Sequence, residues 1–489
     1  MTIPAIKQQG GLRPGPLPDH VFPALNPYTR IRQNEAGYYL SSQLHRLKVQ
    51  LSRQQAGALT SFDGRQSLGK ILELFDPPSR PNLAAFLLNL QSYRYVDCFD
   101  RPNPAGPVIL PENPSPRLQE VHLDITSRCN LQCRHCYQDP YLGENLKGKE
   151  LETNEWRLLL DQLQDLNVDR VNISGGEPLL LKDLLEIITS IFSRGLKLSS
   201  IFTNGILPLE PLFDYFQQQP YPVDFSVSLD GPTPASHEAI RGKNTFAATM
   251  NTIDTLVKHV QNDPLKRYSF DINTCVFNTN LFLLGDMYRF IKQKGVPRWR
   301  ISLPRDEGSF IRNSGKLQAP LPGVFDVYRR LIHSYLEDFE RLGVDQVPYL
   351  QVESIFRTSM LTGKEVVIFT PRSSCCEYKR YGLAVKPNGD VLSCTSFHSL
   401  KLSNIRRQNL REIWYNEDNQ YLKRLPIQDI HECAGCELLK YCGTGCRSNA
   451  LDRVGSITAK DELACRIYEF FAREILPIIQ RRGVKCIDA

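Results

Sequence analysis

The chain has 489 residues, of which 41% are hydrophobic and 23% charged, and a formal net charge of +6. This length exceeds one ordinary domain, and the composition excludes a disordered or fibrous protein. The positive excess is too dispersed to mark a nucleic acid or an acidic peptide as partner, and no stretch reaches the roughly 18 apolar residues that span a bilayer.

Residues 1–27 are rich in Pro and Gly without periodicity and read as a flexible leader. The opening MTIPAIKQQGGLRPGPLP lacks the basic start and apolar run of a signal peptide, so a cytoplasmic location is expected. Over 28–100, RIRQNEAGYYL predicts a strand pair. QQAGALTSFDGRQSLGKILELF has helical apolar spacing around an Asp-Gly turn, and PNLAAFLLNLQSYRYVDCF reads as a helix followed by a strand, a winged-helix-like order. The prolines of 101–117 mark a linker.

Across 118–322 the strand-type runs EVHLDIT, RVNIS, LKLSSIFT, VDFSVSL, YSFDINTCVF and RWRISL alternate with helical segments such as NEWRLLLDQLQDL and LKDLLEIITSIF. Such alternation predicts an α/β fold, here a partial (β/α)6 barrel of the TIM type, with active residues at the C-terminal ends of the strands. Residues 323–369 are expected to form a helical bridge, and 370–489 a cysteine-rich domain ending in a helix.

Fourteen cysteines in a reducing compartment are expected to be ligands rather than disulfides. Cys129, Cys133 and Cys136 in CNLQCRHC follow EVHLDIT directly. Three thiolates fill three irons of a cubane that ordinarily takes four cysteines, leaving one iron open for chemistry. Spacing alone also admits zinc. At the end of the second strand, Gly175 and Gly176 let a ligand approach the backbone, and Glu177 offers an acceptor for an ammonium group.

Together, CNLQCRHC and the GGEP run at 175–178 resemble the radical SAM superfamily, with His135 at its aromatic position. The resemblance implies a 4Fe-4S cluster whose open iron is chelated by the amino and carboxylate groups of S-adenosylmethionine, with the amino group resting on Gly175, Gly176, Glu177 and Pro178. It further implies contacts from Thr203 and Asn204 in FTNG and from Ser228 and Asp230 in FSVSLDGP. Ser228 and Arg241 of HEAIRG would meet the methionine carboxylate, and Tyr137 would pack near the adenine. The cosubstrate is then cleaved to a deoxyadenosyl radical that abstracts a hydrogen atom, and the protein positions that hydrogen.

Further along come Cys375 and Cys376, GDVLSC ending at Cys394, then Cys433, Cys436, Cys442 and Cys446, and last Cys465. CxxC pairs alone admit zinc; the whole pattern resembles the SPASM extension. The resemblance implies two auxiliary 4Fe-4S clusters, three clusters in all. Cys433, Cys436, Cys442 and Cys465 would hold one, and Cys394 and Cys446 with Cys375, Cys376 or both the other. The adjacency of 375 and 376 departs from the family spacing and leaves open whether that cluster has an open iron. Cys98, Cys275 and Cys486 fit no ligand spacing and read as packing residues.

The block 28–100 resembles the RiPP recognition element (PqqD-like), which binds a leader peptide as an added strand. A DNA-binding winged helix and a packing domain are its rivals, and no helix there shows a dense Lys/Arg face. The expected function is modification of a ribosomal precursor peptide by a radical SAM (SPASM) enzyme, forming a crosslink. Excision of a residue fragment, epimerisation and sulfatase-type maturation are the alternatives. In the sulfatase-maturing family an Asp follows the cysteine equivalent to Cys394, whereas this chain has Thr395. A non-catalytic iron–sulfur carrier would have no use for GGEP. A reductase, flavodoxin or ferredoxin is the expected electron donor, and neither membrane nor nucleic acid is expected as partner. Asp124, Asp271 and Asn273 lie on predicted strands and can point inward, core or strand-end hydrogen bonding is the role expected of each, and the catalytic base stays unassigned.

Overall fold

The first strand lies inside the stretch expected to be a leader. The computed structural model describes residues 17–34, 36–112, 114, 116–370, 373–375 and 381–488. The chain divides into two units, Met1–Arg117 and Leu118–Ala489. In the first, β1 (Phe22–Leu25), β2 (Thr29–Asn34), β3 (Gly37–Ser42) and β4 (Lys48–Leu51) precede α1 (Arg53–Leu59), α2 (Leu68–Glu73), α3 (Arg80–Ser92) and β5 (Val96–Phe99). The order β2-β3-β4 makes an antiparallel sheet, and β1 pairs with β5, so the expected leader is ordered from Phe22 onward.

Local chemistry explains these boundaries. Ser52 and Gln55 form a capping box at α1, and the Ser67 side chain caps α2. Helix α3 buries Leu83, Phe86, Leu87 and Leu90, one stripe at helical spacing, into a core with Leu40, Phe62 and Val96. The expected linker is tied back at its start, where the Asn103 and Ala105 N–H groups donate to Gly64 O (2.9 Å) and Asp63 O (2.7 Å).

The second unit is built on an 11-stranded sheet. Strands β6 (Glu120–Asp124), β7 (Arg170–Ser174), β8 (Lys197–Thr203), β9 (Val223–Ser228), β10 (Tyr268–Cys275) and β11 (Arg298–Ser302) are parallel neighbours in chain order. Between them run α4 (Thr153–Asp165), α5 (Leu184–Ser193), α6 (Glu210–Gln217), α7 (Pro234–Arg241), α8 (Phe246–Gln261) and α9 (Leu284–Lys294). Helix α4 starts at a capping box of Glu152 and Glu155 and buries Trp156, Leu159, Leu160 and Leu163. Helix α9 stops at Gly295, whose φ of +70° is the left-handed conformation that ends a helix at little cost for glycine.

The expected helical bridge over 323–369 needs correction. After α10 (Ser309–Leu317) and α11 (Leu321–Leu342), the chain returns to the sheet as β12 (Tyr349–Val352), parallel to β11, and β13 (Phe356–Arg357) closes that edge antiparallel. Then α12 (Thr358–Gly363) and β14 (Glu365–Ile368) follow. At the other edge β15 (Gly382–Val385) lies parallel to β6, with β16 (Asp390–Leu392) and β17 (Lys401–Asn404) beyond it. Finally β18 (Lys485–Asp488) pairs with β14. The predicted partial barrel of six parallel strands is present, extended by one parallel strand on each side. Among the described residues, no helix is long and apolar enough to cross a membrane.

Leu350, fully buried in β12, tests this addition. Leu350→Ala is expected to cost about 2–5 kcal/mol of unfolding free energy in urea titrations. A change within about 0.5 kcal/mol, typical of surface positions, would place β12 outside the core.

Candidate active site

Strand register decides what lines the barrel. Neighbouring residues on paired strands share a face, and His122 lies beside Asn172, Asp124 beside Ser174, Ser226 beside Asp271, and Ser228 beside Asn273. The alternate residues, among them Val121, Ile173, Phe225 and Ile272, are fully buried core. Most of these strands are therefore apolar toward the helices and polar toward the lumen, where Phe202 of β8 lies beside His122 and Arg300. Arg300 donates from Nε and Nη2 to Asp271 Oδ1 (2.9 and 2.8 Å) and from Nη2 to Ser226 Oγ (2.7 Å). Burial alone would raise the Asp124 carboxyl, but Lys386 and His122 beside it carry it well below the usual carboxylate range. Asp124 and Asp271 take the hydrogen-bonding role expected of them, each bonded to a cation within the barrel. Such a lumen suits polar ligands, unlike the aliphatic layers that fill an ordinary TIM barrel.

Cys129, Cys133 and Cys136 sit on the loop after β6. The Gly176 N–H donates to Thr126 O and the Glu177 N–H to Arg128 O, both at 2.8 Å. A Cβ on Gly175, where φ is +143°, would lie 2.6 Å from Thr126 O, and one on Gly176 would lie 2.2 Å from Arg128 O. The close approach these glycines permit is thus to the cysteine loop itself, ahead of any ligand.

Glu177 is buried, and its carboxylate accepts from Thr203 Oγ1 (2.9 Å), the Leu179 N–H (3.2 Å) and the Asn204 N–H (2.8 Å). Burial pushes it up to about 7, with these bonds opposing. The side chain expected to receive an ammonium is therefore committed to joining GGEP to FTNG. Asn204 Nδ2 donates to Asn130 Oδ1 (2.7 Å) and lies 4.0 Å from Cys129 Sγ. Pro178, also buried, opens a single turn after Glu177.

On the opposite side, Arg241 Nε donates to Asp230 Oδ2 (2.7 Å), and its Nη1 lies 3.9 Å from Cys133 Sγ. Asp230 Oδ1 also accepts the Cys275 N–H (2.9 Å). Burial would raise Asp230, and Arg241 holds it down. Asp230, expected to face the cosubstrate, orients Arg241 instead. Ser228 ends β9 in the lumen. The His135 ring packs on Phe277 with centroids 5.0 Å apart, and Tyr137 stacks on His398 at 6.0 Å.

The donor set fits an iron–sulfur cluster. Burial pushes Cys129 up to about 11 and Cys136 to about 12, with Cys133 adding to both. Half-buried thiols held protonated by burial and by a neighbouring cysteine ionise once cationic iron is bound. Farther along, burial and then Cys465 raise Cys433, and burial, Cys465, Asp461 and Cys433 push Cys442 up to about 12. Cys436 adds to the rise of Cys465, so the four lie within electrostatic reach of one another. Cys394 is raised by burial and Cys446, and Arg305 Nη1 lies 3.6 Å from Cys446 Sγ. Cys375, by contrast, is buried in an apolar cluster with Cys433, Leu425 and Ile430. Cys376 lies outside the described residues. Cys98, Cys275 and Cys486 pack against apolar clusters, as expected.

Several lumen and rim residues escaped the sequence reading. Lys386 follows β15, and Glu307 and His398 face each other (Oε2 to Nδ1, 3.6 Å) beside Tyr137. Glu353 follows β12 with φ +46°, a left-handed backbone uncommon for this residue and a mark of functional strain. Its carboxylate accepts the Leu303 N–H, and burial pushes it up to about 7 against the pull of Arg305. A strand-end carboxyl titrating near neutrality can exchange protons with a substrate.

Residues 123–267 match the Radical SAM superfamily, and residues 375–437 match SPASM, an iron-sulfur cluster-binding domain. AdoMet-dependent heme synthase of Nitratidesulfovibrio vulgaris is 26% identical over 375 residues, 74% of this chain and 96% of that one. PqqA peptide cyclase of Xanthomonas axonopodis pv. citri is 24% identical over 349 residues, 71% and 87% of the two chains. In fold, Streptococcus suis SuiB bound to its precursor peptide SuiA has a TM-score of 0.62 at 16% identity, covering 91% of this chain and 99% of that one. Native anSMEcpe with bound AdoMet has a TM-score of 0.58 at 18% identity, covering 75% and 99%. The barrel, its cysteine loop and the two matched segments define a radical SAM enzyme with a SPASM domain. The matched segments carry the chemistry of S-adenosylmethionine and of iron–sulfur clusters.

Two outcomes check this geometry. Gly176→Ala is expected to push the cysteine loop aside and lower iron and sulfide content after anaerobic reconstitution. Gly57→Ala, where nothing lies within 4 Å of the added Cβ, is the neutral control. Glu353 titrates at about 7 when folded against 4.5 when unfolded, so the unfolded chain loses its proton first and stability falls as pH rises between these values. Glu353→Gln should therefore gain on the wild type in thermal melts across that window. Parallel melting curves would mean that the carboxyl does not titrate there.

Proposed function

We propose that this enzyme modifies a ribosomally made precursor peptide, taking a hydrogen atom from it and closing a crosslink. The observation that carries the reading concerns the N-terminal unit. Leu118–Ala489 makes up about three-quarters of the chain, so a likeness covering 91% of it extends into Met1–Arg117, and that likeness is to a protein seen with its precursor peptide bound. In this reading residues 28–100 act as a PqqD-like recognition element, on whose edge strand β4 a leader peptide adds through backbone hydrogen bonds. Residues 101–117 then serve as linker, 118–322 with the added strand β12 as the radical SAM barrel, and 370–489 as the SPASM domain.

Cys129, Cys133 and Cys136 would hold a 4Fe-4S cluster, which would supply the electron that splits S-adenosylmethionine into methionine and a deoxyadenosyl radical. The chain's own groups place the reactants. The backbone of Gly175–Pro178 receives the methionine amino group, with Glu177 bracing that loop against Thr203 and Asn204. Arg241, aimed by Asp230, and Ser228 receive the carboxylate. His135 and Tyr137 wall the adenine. The polar lumen would hold the peptide, and as the crosslink closes Glu353 at its rim would take the proton released and an auxiliary cluster the electron left over. Cys433, Cys436, Cys442 and Cys465 hold one auxiliary cluster. Cys394 and Cys446, with a ligand from 375–376, hold the other, for three clusters in all. A reductase, flavodoxin or ferredoxin provides electrons.

Reconstituted protein given dithionite and S-adenosylmethionine is expected to release deoxyadenosine, and Cys129→Ala to release none. Mass spectrometry of a precursor peptide co-expressed with the enzyme should show the loss of two hydrogens. An unchanged mass with altered stereochemistry, or loss of a residue fragment, would replace the crosslink by epimerisation or excision.

A further inference from the structure

One side chain from the C-terminal third of the chain grips the cysteine loop at both ends. Lys386 is fully buried. Its Nζ donates to Asp124 Oδ2 at 2.8 Å and to Gln138 Oε1 at 2.7 Å. Asp124 ends β6 ahead of Cys129, and Gln138 comes shortly after Cys136. The same ammonium lies 4.9 Å from the centre of the Tyr141 ring, so its third side faces an aromatic surface. A lysine ammonium buried this completely persists only where it is paired and hydrogen-bonded, and these partners meet that requirement.

The neighbouring backbone extends the grip. The Leu151 N–H donates to Pro387 O (2.7 Å), and Asn388 Nδ2 donates to Lys147 O (2.8 Å). Tyr137 stacks on His398, beyond β16. The β15–β16 hairpin thus holds the whole segment from β6 to α4, which contains all three cysteines. Residues around a metal site that orient its ligands are as necessary as the ligands themselves.

We propose that Lys386 is a positioning residue for the cysteine loop, making the cluster site of Cys129, Cys133 and Cys136 dependent on the C-terminal domain. This rests on the reading that those cysteines hold the cluster that binds S-adenosylmethionine. Charge neutralisation and loop placement are separable. Lys386→Met strands Asp124 as a buried charge, whereas Asp124→Leu with Lys386→Met removes both charges and keeps the site filled. Gln138→Met cuts one end of the grip with no change of charge.

The experiment records electron paramagnetic resonance spectra of reduced, reconstituted full-length protein with and without S-adenosylmethionine, alongside thermal melts. The wild type is expected to show a cosubstrate-induced change in the signal that Cys129→Ala lacks. The double variant is expected to melt near the wild type yet lose about tenfold of that change, the scale on which outer partners of a metal site act. Gln138→Met, which takes one acceptor from the buried ammonium, should shift the change in the same direction with a lowered melting temperature. A wild-type signal change in both variants overturns the proposal. A wild type that resembles Cys129→Ala overturns the cluster reading and the proposal with it.

Discussion

Charge placed inside a barrel has to be neutralised by charge from the barrel's own elements, and this constraint organises the second unit. Strands buried on both faces ordinarily read as continuous apolar runs. Here the alternation His122, Asp124 in β6 or Asp271, Asn273 in β10 turns one face polar. Each of these carboxylates is met by a cation from another element: Asp271 by Arg300 of β11, Asp230 by Arg241 of α7, and Asp124 by Lys386 after β15. Removing one partner of such a pair typically costs about 3–5 kcal/mol, because the other is left buried and alone. The pairs therefore hold the lumen open in one geometry rather than letting it collapse onto aliphatic packing.

The same pairs set the geometry around the cysteines. Asp230 aims Arg241 at Cys133, Glu177 fastens the GGEP turn to Asn204 near Cys129, and Lys386 ties down both flanks of the loop. Few of the conspicuous acidic residues are left to face a ligand directly. Their work is to fix other groups, which is how a site preorganises charge for a reactive cosubstrate. Glu353 differs, since its carboxylate rests on a backbone N–H and its backbone is strained. That combination singles it out among the rim carboxylates.

Much of this was legible in residue order. Six strand-type runs interleaved with helical ones became six adjacent parallel strands, and the hairpin, paired helices and final helix and strand of 28–100 appeared where periodicity put them. The short strands β1, β12 and β15 escaped, because four residues carry too little alternation to be told from loop or helix end. Glu177 was read as a ligand-facing acceptor for a similar reason. Sequence shows what a carboxylate can bind, whereas Thr203, a full strand away, decides what it does bind.

By itself the sequence determined the chemistry: the three spaced cysteines, the paired glycines and the cysteine-dense C-terminal third, since spacing and side-chain type set which groups can be ligands. It also determined the fold class, because periods of two and 3.6 residues follow from local backbone geometry. Tertiary structure alone decided which charges meet. Lys386 and Asp124 are separated by most of the second unit, and nothing local to either announces the other. Their pairing follows from β15 taking its place beside β6, a long-range choice made by burial and register rather than by any motif.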